Sequence, residues 1–239
     1  MHRSRLIAAV GVVTAAAASA APIASSRVAQ VSTASSLDAA LARTGSSAVA
    51  WPSRPVVTLH AAPQSQRVLT RLGRRTRFGS PTSLAVTHIV GNWAEVISSA
   101  LPNRTRGYVS LTAISVTLDP VKLEVDLSGH RLRVWHARKL VRTLPVATGA
   151  PVSPTPTGRF SITDELVDFD RYAYGCCVLA LSGHQVQFTP GWRGGDRLAI
   201  HGGGGLGDSI TNGCLHASER DLHWLMRVVP LGTQIVIHR

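Results

Sequence analysis

The sequence predicts a mainly β protein, a small barrel followed by a larger β-rich unit with one clear helix near the C-terminus. Three observations carry this. Between Pro55 and about Val116, short β-rich runs are broken by Gly-Ser-Pro, Gly-Asn and Pro-Asn turn signals. Val121, Leu123, Val125 and Leu127 alternate with Lys122, Glu124 and Asp126, the period of a half-buried strand. Clear helical spacing is confined to one stretch, where Leu222, Leu225, Met226 and Val229 fall at i, i+3, i+4 and i+7.

The elements follow in order. Met1 to Arg5 is basic, Leu6 to Ala18 is apolar, and Ala18-Ser19-Ala20 offers small residues for cleavage. Residues 1–20 therefore read as a secretory signal peptide. The apolar run is too short and too alanine-rich to span a bilayer comfortably, and no later segment is apolar enough to do so. Residues 21–53 are rich in alanine, serine and threonine and read as a flexible linker, with at most one helical turn at Leu37 to Leu41. Residues 54–118 form the small β domain, with strands at Val56 to Leu59, Leu84 to Val90, Trp93 to Ile97 and Gly107 to Val109.

Residues 119–239 form the second unit. Ser128-Gly129 turns the chain after its first strand, and Leu132 to His136 and Leu140 to Ala147 continue the β pattern. Pro154 to Gly158 makes a rigid turn before Arg159 to Thr163, and Arg197 to His201 is a further strand. Ser218 caps the helix, with Asp221 three residues on. Pro230-Leu231-Gly232 stops it, and Gln234 to His238 is the last strand.

Net charge is +12, and removing Arg3 and Arg5 with the signal leaves +10. Such a chain favours anionic partners. For an exported protein that partner is the anionic cell envelope and not nucleic acid. Arg71, Arg74, Arg75 and Arg77 are the one dense basic cluster.

The 3 cysteines are an odd number, so at least one thiol is free or paired between chains. Cys176 and Cys177 are adjacent and could pair as a vicinal disulfide, which is strained and rare, so the expectation is that both are reduced, one of them buried in a strand from Val178 to Leu181. Cys214 lies in a glycine-rich loop thirteen residues after His201. A thiol is only partly ionised near neutral pH, so a histidine must take its proton, and that histidine must be oriented. His201 ends a strand, where a backbone carbonyl such as that of Gly202 can hold its second ring nitrogen. The amides of Asn212, Gly213 and Cys214 are candidate oxyanion donors. Zinc is disfavoured: His201, Cys214, His216, His184 and His223 include ligand types, but there is no C-x-x-C and no H-E-x-x-H. No cofactor is implied.

His201-Gly202 followed by Thr211-Asn212-Gly213-Cys214 resembles the motif of the L,D-transpeptidase (YkuD-type) catalytic family. Val125-Asp126-Leu127, Pro154 to Phe160 and Pro230-Leu231-Gly232-Thr233 agree with it. The run Leu59 to Pro63, with Phe78 to Pro81, Gly91-Asn92-Trp93 and Asn103 to Val109, is similar to a bacterial SH3-like wall-associated domain. The resemblance implies a β-rich enzyme acting outside the cytoplasmic membrane on peptidoglycan stem peptides. By it, Cys214 attacks the third residue of a donor tetrapeptide, the terminal D-alanine leaves, and an acceptor amine takes the acyl group to give a 3–3 cross-link. It makes His201 the base, places Asn212 and Gly213 at the oxyanion, and gives Thr211 a part in shaping the loop. It also implies sensitivity to carbapenems. The family usually carries arginine two residues after the cysteine, where this chain has His216, a weaker holder of carboxylate. Two other activities are compatible with these residues: an L,D-carboxypeptidase with water as acceptor, and a non-catalytic wall-binding protein. Trp192 is a candidate for the site entrance, and Tyr172 and Tyr174 for wall contacts.

Overall fold

A computed structural model describes residues 34–239. The expected signal peptide and the first part of the expected linker lie outside the described residues. No helix among the described residues is long and apolar enough to cross a membrane.

The first unit is a barrel-like, seven-stranded antiparallel sheet. Its strands are β1 (Ser47–Pro52), β2 (Val56–His60), β3 (Val68–Gly73), β4 (Leu84–Val90), β5 (Trp93–Ile97), β6 (Gly107–Ser110) and β7 (Ile114–Asp119). Their order is β3-β2-β6-β5-β4-β1-β7.

The segment read as a flexible linker is partly structured, which corrects the sequence expectation. Helix α1 (Ala34–Thr44) puts Leu37 into the first core, and β1 pairs with both β4 and β7. The cause is two-sided burial. Ala48 and Ala50 face the first core, while Val49 lies against Gly232 of the second unit. A central strand of small residues shows no polar alternation, so its composition looks like that of a linker. Gly45 ends α1 at φ 66, where its N–H donates to the Leu41 carbonyl at 2.9 Å.

The second unit holds an eight-stranded sheet of order β10-β9-β8-β17-β12-β13-β14-β16. Here β8 is Val121–Asp126, β9 Arg131–His136, β10 Lys139–Pro145, β12 Gly158–Val167, β13 Cys177–His184, β14 Arg197–Gly202, β16 Leu215–Ala217 and β17 Gln234–His238. A separate two-stranded ladder joins β11 (Thr148–Gly149) to β15 (Ser209–Thr211). In β8 the apolar residues Val121, Leu123 and Val125 are buried, as the alternation predicts. The final strand β17 lies parallel beside it, closing the unit's first strand against its last.

Helix α3 (Glu219–Val228) packs on β13 and β14. The Ser218 hydroxyl accepts from the Asp221 N–H at 3.2 Å and donates to its carboxylate at 2.7 Å. Leu222 and Leu225 are fully buried, each contributing about 1.5–3 kcal/mol. A short helix α2 (Arg171–Tyr174) precedes β13.

The two units dock through specific polar contacts. Asn103 Nδ2 donates to the His184 carbonyl at 2.7 Å, and the His184 N–H donates to Asn103 Oδ1 at 2.8 Å. Gln234 Nε2 donates to the Val86 carbonyl at 2.9 Å. Thr76 donates through its hydroxyl to Asp164, a wholly buried carboxylate of β12.

Candidate active site

Sheet register brings the site together. β14 and β16 pair in parallel with His201 opposite His216, so both side chains leave the same face, their rings 4.7 Å apart. Cys214 immediately precedes β16. Just before it, Thr211 ends β15, which pairs with β11 and not with β14. The three residues 212–214 must therefore cross between two separate ladders. That sharp passage is made at Gly213, with φ +106, a conformation other residues rarely adopt.

The turn is pinned from both sides. Thr211 Oγ1 donates to the Cys214 carbonyl at 2.6 Å and accepts from the Gly213 N–H at 3.1 Å. The Gly213 amide, an expected oxyanion donor, is thus already engaged within its own loop. Gln185, which is buried, sends Nε2 to the Asn212 carbonyl at 3.0 Å and to the Ser153 carbonyl at 3.2 Å. A β-carbon on residue 213 would run into that amide. The Asn212 side chain accepts from the Thr189 hydroxyl at 2.5 Å.

His201 is 5% exposed, and its Nδ1 lies 2.9 Å from the Gly202 carbonyl. A carbonyl only accepts, so Nδ1 carries the proton and Nε2 is the basic nitrogen. Burial, which disfavours the charged form, pulls the imidazole down to about 4, against the upward pull of the Gly202 hydrogen bond. Burial likewise pushes the Cys214 thiol up to about 11, and its Sγ faces the β14 backbone, 3.9 Å from the Arg197 carbonyl. Both groups are neutral near pH 7.

Cys214, His201, His216 and Asn212 line one cavity of about 530 Å³. Trp192 and Tyr174 line it as well, whereas Tyr172 points fully to solvent. Tyr174 packs edge-on against His201 at 4.9 Å. Sequence reasoning missed Gln185, whose neighbours do not mark it, and the contribution of the first unit. Arg77 and Phe78 also line the cavity, and Phe78 packs edge-on against Phe169 at 5.9 Å. Only the inter-unit docking could have revealed them. The His216 Nδ1 is bound at 3.1 Å by the Gly204 carbonyl.

The two adjacent cysteines overturn the expectation that both are reduced. Cys176 and Cys177 are joined by a disulfide, and both are buried. Their Cα atoms lie 3.8 Å apart, as in any consecutive pair, and both residues belong to the core of the second unit. Cys214 is the free cysteine among the described residues. Cys176, Cys177 and His223 also form the one group of three metal-ligand types found close together among the described residues, but its two sulfurs are bonded to each other.

Comparison with known proteins bears on the second unit. The model of the YkuD L,D-transpeptidase catalytic domain matches residues 120–237, which include Cys214 and His201. This half of the chain belongs to the YkuD family of L,D-transpeptidase catalytic domains. The chain is similar to a Bacillus licheniformis protein named for the L,D-transpeptidase YkuD, 29% identical over 121 residues, which are 49% of this chain and 66% of that protein. Its counterpart from Bacillus subtilis is 25% identical over 123 residues, 50% of this chain and 67% of its own length. The chain thus spans only about two thirds of the length of these YkuD relatives. Among solved structures, an L,D-transpeptidase from Mycobacterium smegmatis superposes with a TM-score of 0.40 at 18% identity, over 58% of this chain and 76% of that one. One from Mycobacterium tuberculosis H37Rv gives 0.43 at 17%, over 90% and 89%. These scores are low, and the YkuD family assignment rests on the sequence match.

Proposed function

We propose that the protein is a peptidoglycan L,D-transpeptidase that forms 3–3 cross-links through a thioester on Cys214, in the biogenesis of the cell wall. The observation that carries this is a free cysteine on a glycine turn, sharing a cavity with a histidine whose tautomer is fixed by a backbone carbonyl.

Because thiol and imidazole are both neutral, no ion pair stands ready, and proton transfer accompanies attack. The Cys214 sulfur bonds to the carbonyl carbon of the third stem residue as its proton passes to His201 Nε2. The Cys214 and Asn212 amides are the proposed donors to the resulting oxyanion. As the tetrahedral centre collapses, the C–N bond to D-alanine breaks and His201 returns the proton to the leaving amine. The amine of an acceptor stem then attacks the thioester, and the thiol is restored. Gly202 acts on His201 through its carbonyl, Thr211 and Gln185 hold the turn, and His216 flanks the base. The protein works outside the cytoplasmic membrane after export, and the SH3-like first unit meets the anionic envelope.

Incubation of the purified protein with a tetrapeptide stem checks this reading. Release of D-alanine with appearance of a cross-linked dimer is expected. Release without dimer makes the protein a carboxypeptidase, and unchanged release by Cys214→Ala removes the cysteine mechanism altogether.

A further inference from the structure

A second cavity, of about 320 Å³, lies between the two units. Arg71 of β3, Arg75 and Arg77 from the β3–β4 connection, and Arg197 of β14 all line it. No acidic residue does. Among the described residues, no ion pair involves any of these four arginines. The nearby carboxylates Asp196, which His184 Nδ1 meets at 2.8 Å, and Asp164, which takes the Thr76 hydroxyl, attract Arg197, and Asp196 attracts Arg77, but neither acid lines the cavity.

The cavity wall also holds a polar group without a partner. Ser83 is 4% exposed, and its Oγ makes no hydrogen bond in this structure. That oxygen is closed to solvent, so the wall contributes its shape here and the charge comes from the arginines. Several arginines lining one cavity, of which Arg75 also donates to the Gly79 carbonyl at 2.6 Å, suit an anion that presents several oxygens at once. A lone carboxylate is satisfied by one bidentate arginine, whereas a phosphoryl group can accept from several donors.

We propose that this inter-unit cavity is a binding site for a phosphoryl anion, held by Arg71, Arg75 and Arg77. Arg77 and Arg197 line the catalytic cavity too, so an occupant here sits beside the reaction site. The dense basic cluster of the sequence thereby gains a defined place. The proposal stands apart from the acyl-transfer reading, since anion binding needs no chemistry at Cys214.

The test is titration of the full chain, at low ionic strength, with inorganic phosphate and separately with a glycerol-phosphate oligomer, read by NMR shifts and by thermal melting. Saturable binding is expected, weakened about tenfold or more in the Arg71→Gln, Arg75→Gln double variant. A charge-matched control, Arg131→Gln with Arg159→Gln, neither of which lines this cavity, should bind as the parent does. Tighter binding of the oligomer identifies a phosphodiester polymer as the source of the anion, and equal binding per phosphate identifies free phosphate. Absence of saturable binding, or equal weakening in the control pair, overturns the proposal.

Discussion

Two places in this molecule set a cysteine near a histidine, and they differ in almost every other respect. Cys177 Sγ lies 3.7 Å from His223 Nδ1, but that sulfur is bonded to Cys176 and buried in the core, and His223 lies exposed on α3. Cys214 is free and half-buried, on a cavity wall shared with a buried His201 whose Nδ1 is fixed by Gly202. Proximity of sulfur and imidazole is therefore not what distinguishes a candidate nucleophile. A free thiol, a fixed tautomer and an open cavity do.

The largest effect expected from this contrast comes from the sulfur itself. Cys214→Ala should reduce D-alanine release at least about a thousandfold, while a Cys176→Ser, Cys177→Ser variant keeps it. Loss in the second variant, with its fold intact by circular dichroism, would break the contrast.

Next come the histidines. His201→Gln should lower kcat about 10²–10⁴-fold, and His223→Gln should leave it unchanged. The pH profile sharpens this. The base acts when neutral, and burial holds His201 near 4, so kcat/KM should stay level from pH 8 to below 6 and fall only as pH approaches 4. An unperturbed histidine would bring that fall near 6.5. Stability follows the same group. Its pKa is lower folded than unfolded, so its contribution is present above the unfolded value and is lost as pH falls through the folded one. Denaturant midpoints between pH 7 and 4 should decline accordingly. Cys214 acts at the other end, because its folded pKa is raised. Its contribution is present below about 9 and is lost as pH rises through about 11.

A smaller effect belongs to the brace. Gln185→Ala removes the hydrogen bond that anchors the Asn212 carbonyl, leaving that turn loose. We expect about a tenfold fall in kcat and a loss of about 1–3 kcal/mol in stability by denaturant titration. The smallest effect belongs to the disulfide. Alkylation of the denatured, unreduced protein should add one label, and prior reduction should raise this to three, with D-alanine release changing less than about twofold on reduction.

These elements also mark how far the chain could be read unaided. Val121 to Leu127 and the Ser218-capped helix declared themselves, because period-two and helical spacing are local properties. Cys214, His201 and Gly213 stood out because a glycine turn beside a thiol is local as well. Strand β1 did not, since Ala48, Val49 and Ala50 are buried on both faces and carry no polar alternation. Arg77, Phe78 and Gln185 reach the site only through the docking of units or the folding of distant loops, which spacing along the chain does not encode. The engaged amide of Gly213 depends on where the Thr211 hydroxyl points, again a matter of three-dimensional geometry.

The most direct measurement is the intact mass of the folded protein after incubation with a tetrapeptide stem or a carbapenem, followed by peptide mapping. One acyl adduct is expected, located on Cys214 and absent from Cys214→Ala. A folded protein that gains no adduct, or gains it on another residue, would contradict the cysteine mechanism.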